Sequence, residues 1–395
     1  MPAPLPRSVK LLGWTSLFTD AATEAIYPLL PVFVTRLLGG SALALGIIEG
    51  AADAMSSVLK VVAGRISDRT GRRKPLVLLG YGIASLARPL IALATAWPHV
   101  FIVRLTDRVG KGLRGAPRDA MLGALSPEGQ RGHVFGFHRA MDHAGAVIGP
   151  LVASAFLWVF PGEYRTLFAL TIIPGIAAIL LVWLVPETGP AAAPRRETSI
   201  HIASTHGTSG TPPALKKYLA VLALFTLGNS TDAFLLLRLS DAGLATIYLP
   251  MAWSALHVVK SGLSTMGGML SDRWGRRQLI VAGWLLYSVV YAAFALTDSL
   301  VPLLVWFLVY GVHFAMVEGS EKALVADLTP SELQGTAFGW YNAVLGFGAL
   351  AASLLFGALW EAFGASAAFL TGAGLAVTAS VLLMITTPAF PSSAR

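Results

Sequence analysis

Cysteine is absent from this chain of 395 residues, and charged side chains are scarce. Without cysteine there can be no disulfide and no thiolate-bound metal. Charged residues make up 13% of the sequence and hydrophobic residues 55%. A soluble domain carries roughly 25% charged residues. This composition is typical of a protein whose surroundings are a lipid bilayer.

Three functional signals are also missing. The chain has no Gly-x-x-x-x-Gly-Lys-Ser/Thr loop, which argues against direct coupling to ATP. No metal-ligand cluster and no nucleophile–base arrangement stands out, so we expect neither an enzyme nor a bound cofactor or metal. The net charge of +8 does not indicate nucleic-acid binding, because the loops are too short to build a duplex-sized surface.

Long apolar runs fill most of the chain. A membrane span needs about 20 mostly apolar residues, and the sequence predicts twelve such runs, near 11–35, 41–64, 75–96, 99–124, 133–158, 166–186, 216–238, 244–268, 277–297, 301–326, 333–360 and 365–386. The first run is too long for a signal sequence and carries Asp20 and Glu24. We therefore interpret it as a retained helix.

A Pro/Ala/Ser/Thr-rich stretch divides the runs into two sets of six. It predicts a linker at residues 189–214 between two bundles of six helices at 1–188 and 215–395. Short motifs recur across this linker with a nearly constant offset, since Gly71 matches Gly275 and Gly132 matches Gly335. The sequence thus predicts an all-α membrane protein built as a parallel, pseudo-twofold repeat, with its site between the halves.

Basic residues indicate the orientation. Arg36 and Arg165 are nearly the only basic residues in the odd-numbered turns, whereas the other side collects most of the arginine and lysine. By the positive-inside rule, both termini and the linker are then cytoplasmic. We expect a multi-pass protein of the plasma membrane, the inner membrane of a prokaryote, acting as a monomer.

One pattern occurs twice and carries a Gly-x-x-x-Asp-Arg-x-Gly-Arg-Arg turn. Its members are Gly64, Asp68, Arg69, Gly71, Arg72 and Arg73 in the first copy, and Gly268, Asp272, Arg273, Gly275 and Arg276 in the second. The second glycine of each copy permits a tight turn between helices. The aspartate beside several arginines suits an ion-pair latch that gates the cytoplasmic side. The alternative is a basic loop that only sets topology.

These turns resemble the loop between helices 2 and 3 in the major facilitator superfamily. The run from Arg108 to Gly112 is similar to that family's helix 4 motif, with Lys111 in place of the usual glutamine. Gly145, Gly149 and Pro150 resemble the helix 5 motif associated with antiporters. The resemblance covers nearly the whole chain. It implies the fold of that family and transport by alternating access.

Helix 4 carries the sharpest chemical signal. At 100° per residue, its cationic side chains fall within an arc of about 120° that also holds Asp107, and they are Arg104, Arg108, Lys111, Arg114 and Arg118. Ionisable groups at membrane depth are costly unless they face a cavity or a partner, so this face points inward. Three readings remain open: an internally paired network, a network with a proton carrier, and a basic pocket for an anionic substrate.

Acidic residues on neighbouring helices could complete such a network. Glu49 and Asp53 lie four apart on helix 2, and Asp142 lies on helix 5. Asp20 is the preferred proton carrier because it lies in the middle of helix 1, one turn before Glu24, with Arg108 sensing its protonation. Glu24 and Asp142 are next in line. A permanent ion pair is the alternative role for Asp20.

The second half offers fewer candidates. The predicted substrate cavity combines residues of both halves, namely Arg104, Lys111, Arg114, Glu49, Asp53, Asp232, Asn229 and Asn342. We interpret the neighbouring pairs Arg118–Asp119 and Glu321–Lys322 as structural clamps at helix ends. The tryptophans, Trp253 among them, are interpreted as packing or interface residues.

The sequence therefore favours a secondary transporter that moves a small solute across the bilayer. Proton-coupled export by antiport is preferred because of the helix 5 motif. Import of an organic anion by symport is the alternative that the helix 4 stripe would suit. A receptor or scaffold without transport is the alternative from another class, against which the costly charged interior argues.

Overall fold

A computed structural model describes residues 5–126, 131–187, 212–329 and 334–386. Within these ranges the chain is helical and contains no strand, so the all-α prediction is confirmed. Most of the predicted linker, 189–214, lies outside the described residues.

Six helical segments form the first half. They are α1 (Arg7–Leu37), α2 (Ala42–Thr70), α3 (Lys74–Leu93), α4 (Trp97–Leu125), α5 (Arg131–Val159) and α6 (Tyr164–Trp183). Along α1, α-helical geometry is interrupted after Ile26 by a 3-10 turn at Tyr27–Leu29, resumes at Leu30–Val32 and gives way to a π-turn at Phe33–Leu37. Pro28 and Pro31 remove backbone donors there, which explains the irregularity.

Six further segments, counted over the described residues, form the second half. They are α7 (Pro213–Asp241), α8 (Leu249–Trp274), α9 (Arg276–Leu296), α10 (Leu300–Asp327), α11 (Gln334–Phe363) and α12 (Ala365–Thr386). In the described part of the chain, ten helices are long and apolar enough to cross a membrane. The other two, α4 and α8, are more polar and line the site described below. For these two the predicted membrane crossing stays a prediction.

The two halves pack their helices in the same way. In the first half α1 packs against α5 and α6, α4 against α2 and α3, and α3 against α6. Each of these pairs recurs six helices later in the second half. The halves meet through α2 with α11 and through α5 with α8, and the same shift exchanges these two seams. The contacts confirm the pseudo-twofold repeat.

The interiors of the two halves are stabilised by different interactions. In the second half, stacked and edge-on aromatic rings fill the core, with Phe225 on Trp284 at 4.3 Å and Tyr287 on Tyr291 at 4.1 Å between ring centroids. In the first half, ion pairs are buried among the helices. Arg88 and Asp107 are one such pair, at 2.8 Å with about 4% of each side chain exposed.

The halves close on each other at one side of the molecule, opposite the side where α1 begins and α12 ends. A side chain at Gly46 would collide with the backbone of Ser353. The Ser154 hydroxyl donates to the Ile247 carbonyl at 2.6 Å. Small residues and backbone acceptors thus let the helices approach closely here. We call the opposite side, where the chain begins, the terminal side.

Candidate functional site

A cavity of about 600 Å³ lies between the halves and reaches toward the terminal side. Its walls come from α1, α2, α4 and α5 of the first half and from α8 and α10 of the second. Basic residues in the wall are Lys60, Lys111, Arg114, Arg118, Arg139 and Lys322, and acidic residues are Asp20, Glu24, Asp119 and Asp142. His143 and His257 complete the ionisable lining. Six cations against four carboxylates give the cavity an excess of positive charge.

Asp20, the predicted proton carrier, lies in the cavity wall. Lys111, Arg114 and Asp142 are close enough to act on it electrostatically. Within the described residues its carboxylate has no hydrogen bond and no ion pair within 4.0 Å. Asp142, by contrast, accepts a hydrogen bond from the Ser16 hydroxyl and lies 3.6 Å from Nδ1 of His138.

Glu24 connects the two halves above the cavity. Its carboxylate accepts a hydrogen bond of 2.7 Å from the indole nitrogen of Trp253 on α8. The Trp253 ring also contacts the ring of Tyr27 at 4.9 Å between centroids. Trp253 was predicted to be a packing or interface residue. Its donor role could not be predicted from the sequence, since no local pattern pairs positions 229 residues apart.

Arg104 and Glu49 form a closed pair that does not line the cavity. Three hydrogen bonds of 2.6 to 3.0 Å join the guanidinium to the carboxylate. The side chains are 4% and 2% exposed. Both were predicted as cavity residues, and the structure places them in the packed interior between α2 and α4. Asp53, also on the predicted list, does not line the cavity either.

Arg108 was predicted to sense the protonation of Asp20. The structure buries it with 6% exposure, outside the cavity wall. It makes no ion pair with Asp20 among the described residues, and it interacts electrostatically with Lys111 instead. Any influence of Arg108 on Asp20 is therefore indirect.

Asp232 takes its partners from the second half. It accepts hydrogen bonds from the Tyr310 hydroxyl at 2.6 Å and from the Lys260 ammonium at 3.3 Å. That ammonium lies 3.6 Å from the centroid of the Phe314 ring. The predicted cavity residues Asn229 and Asn342 are also outside the wall, and the Asn342 amide donates to the carbonyl of Phe338.

The side chains of Glu321 and Lys322 have different surroundings. Glu321 is 5% exposed and accepts hydrogen bonds from the Trp284 indole and the Tyr341 hydroxyl at 3.1 and 3.0 Å. Lys322 lines the cavity and pairs with Glu318 at 3.2 Å. They do not clamp each other, unlike Arg118 and Asp119, which are bonded at 2.9 Å.

The two loop glycines adopt the conformation that the sequence predicts. Gly71 has φ of 65° and Gly275 has φ of 93°, both unfavourable for other residues. Glu187 accepts hydrogen bonds from the backbone of Arg73 and Lys74 at 3.2 and 3.1 Å, which stabilises the start of α3.

In the second copy, Arg276 forms an ion pair with Asp327. The structure does not describe the side chains of Asp68 and Asp272. Of Gly268 it describes only the helical backbone, within α8. The gating role of the two turns therefore stays a prediction.

The helix 5 motif packs within the first half. A side chain at Gly145 or Gly149 would collide with the α1 backbone at Leu17 or Ala21. These two glycines therefore lie at a contact within the first half and not at the seam between the halves. The motif lets α5 approach α1, while other residues of α5, such as Val147, contact α8.

Comparisons with known proteins agree with this fold. The family model described as Major Facilitator Superfamily matches residues 12–259 and 245–395. An MFS-type transporter of Methanocaldococcus jannaschii is 32% identical over 96% of this chain and 95% of its own length. The inner membrane transport protein YajR of Escherichia coli is 25% identical over 94% of this chain and 81% of its own.

Solved structures show the same fold. The nucleoside transporter NupG, as a D323A mutant, superposes with a TM-score of 0.80 at 14% identity, covering 96% of this chain and 100% of that one. A D-xylose-proton symporter superposes with a TM-score of 0.76 at 17% identity, covering 97% and 98%.

Proposed function

We propose a function that starts from the family of this chain, because the chain belongs to the Major Facilitator Superfamily. It is a membrane transporter. We propose that it carries a small solute by alternating access, as a monomer in the plasma membrane, and that proton movement drives it. The halves at 1–188 and 215–395 would rock about the cavity between them.

The cavity between the halves is the observation that supports this proposal. It lies between the halves, contains ionisable groups from both, and is blocked on one side where Gly46 meets Ser353. The basic turns lie on its other side, which we take to be cytoplasmic by the positive-inside rule. On that assignment the structure is an inward-facing state, and closure of the terminal side would complete the cycle.

Asp20 is our candidate for the proton carrier. It lies at membrane depth on the cavity wall, with no direct partner among the described residues. A carboxylate held in a salt bridge is costly to protonate, since its cation would be left unpaired. Asp20 has no such obstacle within the described part of the chain, whereas Glu49 does.

Two directions of transport remain. Export in exchange for protons is supported by the resemblance of Gly145, Gly149 and Pro150 to the antiporter motif. It is also supported by a relative named multidrug resistance protein MdtH, from Salmonella arizonae, which is 24% identical over 82% of this chain and 78% of its own length.

Uptake of an organic anion together with protons is supported by the positive charge of the cavity. Protonation of Asp20 would remove a negative charge close to Lys111 and Arg114. A proton and an anion would then stabilise each other in the cavity. That mutual stabilisation is what co-transport requires.

Proteoliposomes with a pH-sensitive dye in the lumen test the proposal and separate the directions. Ethidium or succinate is added outside at equal pH on both sides. Entry by antiport makes the lumen alkaline, and entry by symport makes it acidic. We expect Asp20→Asn to abolish the pH change. The matched control is Asp298→Asn, at a carboxylate that is 95% exposed. Wild-type solute entry without any pH change would refute proton coupling.

A further inference from the structure

The cations of the cavity differ in what they already bind. Arg118 is bonded to Asp119 at 2.9 Å. Arg139 and Lys322 both pair with Glu318, at 3.3 and 3.2 Å. These three cations therefore have carboxylate partners within the protein.

Lys60 and Lys111 have none. Among the described residues, neither ammonium has a hydrogen bond or a carboxylate within 4.0 Å. The two lysines are close enough to repel each other. Asp53 acts on both, Asp20 on Lys111 and Asp119 on Lys60, each from more than 4.0 Å. Two like charges at the wall of one cavity oppose each other unless an anion lies between them.

Arg114 adds an independent observation. It lines the same cavity with only 5% of the residue exposed. Its guanidinium carbon lies over the Tyr81 ring, 4.5 Å from the ring centroid. Its Nη1 is buried and has no hydrogen-bond partner in the described part of the chain. A buried donor without a partner is unusual and calls for an acceptor.

We propose that Lys60, Lys111 and Arg114 form an anion-binding subsite for a small organic anion carrying a carboxylate or phosphate group. The proposal rests on the transport function proposed above and names its substrate class. A carboxylate or phosphate supplies several acceptor oxygens, and its charge-assisted hydrogen bonds to ammonium and guanidinium groups are the strong ones. The carboxylates of Asp20 and Asp142 line the same cavity from α1 and α5 and would orient the ligand.

Direct binding tests the subsite without any need for transport. Purified protein in zwitterionic nanodiscs is titrated calorimetrically with sodium succinate or sodium phosphate at constant ionic strength. Tetramethylammonium chloride serves as the cation control. We expect the wild type to bind at least one anion and not the cation. The anion that binds more tightly shows whether carboxylate or phosphate is the preferred group.

Three variants locate the binding. In Lys60→Gln with Lys111→Gln we expect an affinity at least about tenfold weaker, since each substitution removes a charge-assisted contact. The charge-preserving Lys60→Arg with Lys111→Arg should retain most of it. Lys216→Gln with Lys217→Gln makes the same charge change at two exposed lysines outside the cavity and should bind like the wild type. A melting temperature for each variant identifies any that has lost its fold.

The outcomes separate this inference from the proposed function. Equal affinity in the wild type and the folded double glutamine variant would overturn the subsite, as would preference for tetramethylammonium. Loss of affinity only in the double glutamine variant supports it. If anions bind in this way but no protons move in the liposomes, the subsite stands and proton coupling fails.

Discussion

Removing the carboxylate of Glu49 should destabilise the protein more than removing any exposed carboxylate. The substitution Glu49→Leu leaves Arg104 buried, 4% exposed, without the three hydrogen bonds that Glu49 accepts. Its remaining ionic partner is Asp107, at the longer distance of 3.9 Å. Breaking a buried ion pair by removing one partner costs about 3–5 kcal/mol. We expect a loss of that size in the free energy of unfolding.

Two further variants test whether this loss of stability comes from breaking a buried ion pair. Asp241→Asn breaks the pair of Arg36 and Asp241, whose side chains are 47% and 41% exposed, and exposed pairs contribute at most about 1 kcal/mol. The double variant Glu49→Leu with Arg104→Met replaces the buried pair by apolar side chains of similar size. Such replacements are often neutral, so the double variant should recover more than half of the lost stability.

Equilibrium unfolding in mixed micelles, followed by tryptophan fluorescence, measures all three variants. The reasoning is refuted if Glu49→Leu costs no more than Asp241→Asn. It is also refuted if the double variant is as unstable as Glu49→Leu alone, because the cost would then come from packing and not from the buried charge of Arg104.

Three other changes give separate tests. Gly149→Val should prevent folding because α1 backbone occupies the space, whereas Gly374→Val meets nothing within 4 Å and should fold, as judged by yield and size-exclusion profile. Trp253→Phe keeps a ring but loses the donor to α1, so the transport rate in liposomes should fall without loss of melting temperature. Glu318→Gln breaks an exposed pair with Arg139 across the halves. Because such a pair is worth at most about 1 kcal/mol, stability should hold while the accessibility of a single cysteine introduced on the terminal side changes by up to about fivefold.

The helices, the repeat and the inward-facing stripe of α4 could all be predicted from sequence. Apolar runs of sufficient length specify spans, and the matching of Gly71 with Gly275 specifies the duplication. The costs of burying charge also fix which face of α4 turns inward. These signals are local or periodic, so they survive without knowledge of the tertiary contacts.

The partners of individual charged groups could not be predicted in the same way. Arg104 and Lys111 lie on one stripe, yet one is closed in an ion pair with Glu49 and the other lines the cavity. A Gly-x-x-x-Gly spacing indicates close approach without naming the neighbour, and Gly149 turned out to face α1. Partner choice depends on helix tilt and on the depth of each side chain, which are set by the packing of all the segments together.

The different interiors of the two halves have a consequence for how the protein unfolds. Buried ion pairs accompany the apolar clusters of the first half, whereas the core of the second half is rich in stacked aromatic rings. The cost of desolvating charges falls as temperature rises, while apolar stabilisation reaches a plateau. On heating, the second half should therefore unfold before the first. A duplicated ancestor has produced two bodies with unlike responses to stress, joined in one polypeptide that need not unfold in a single step.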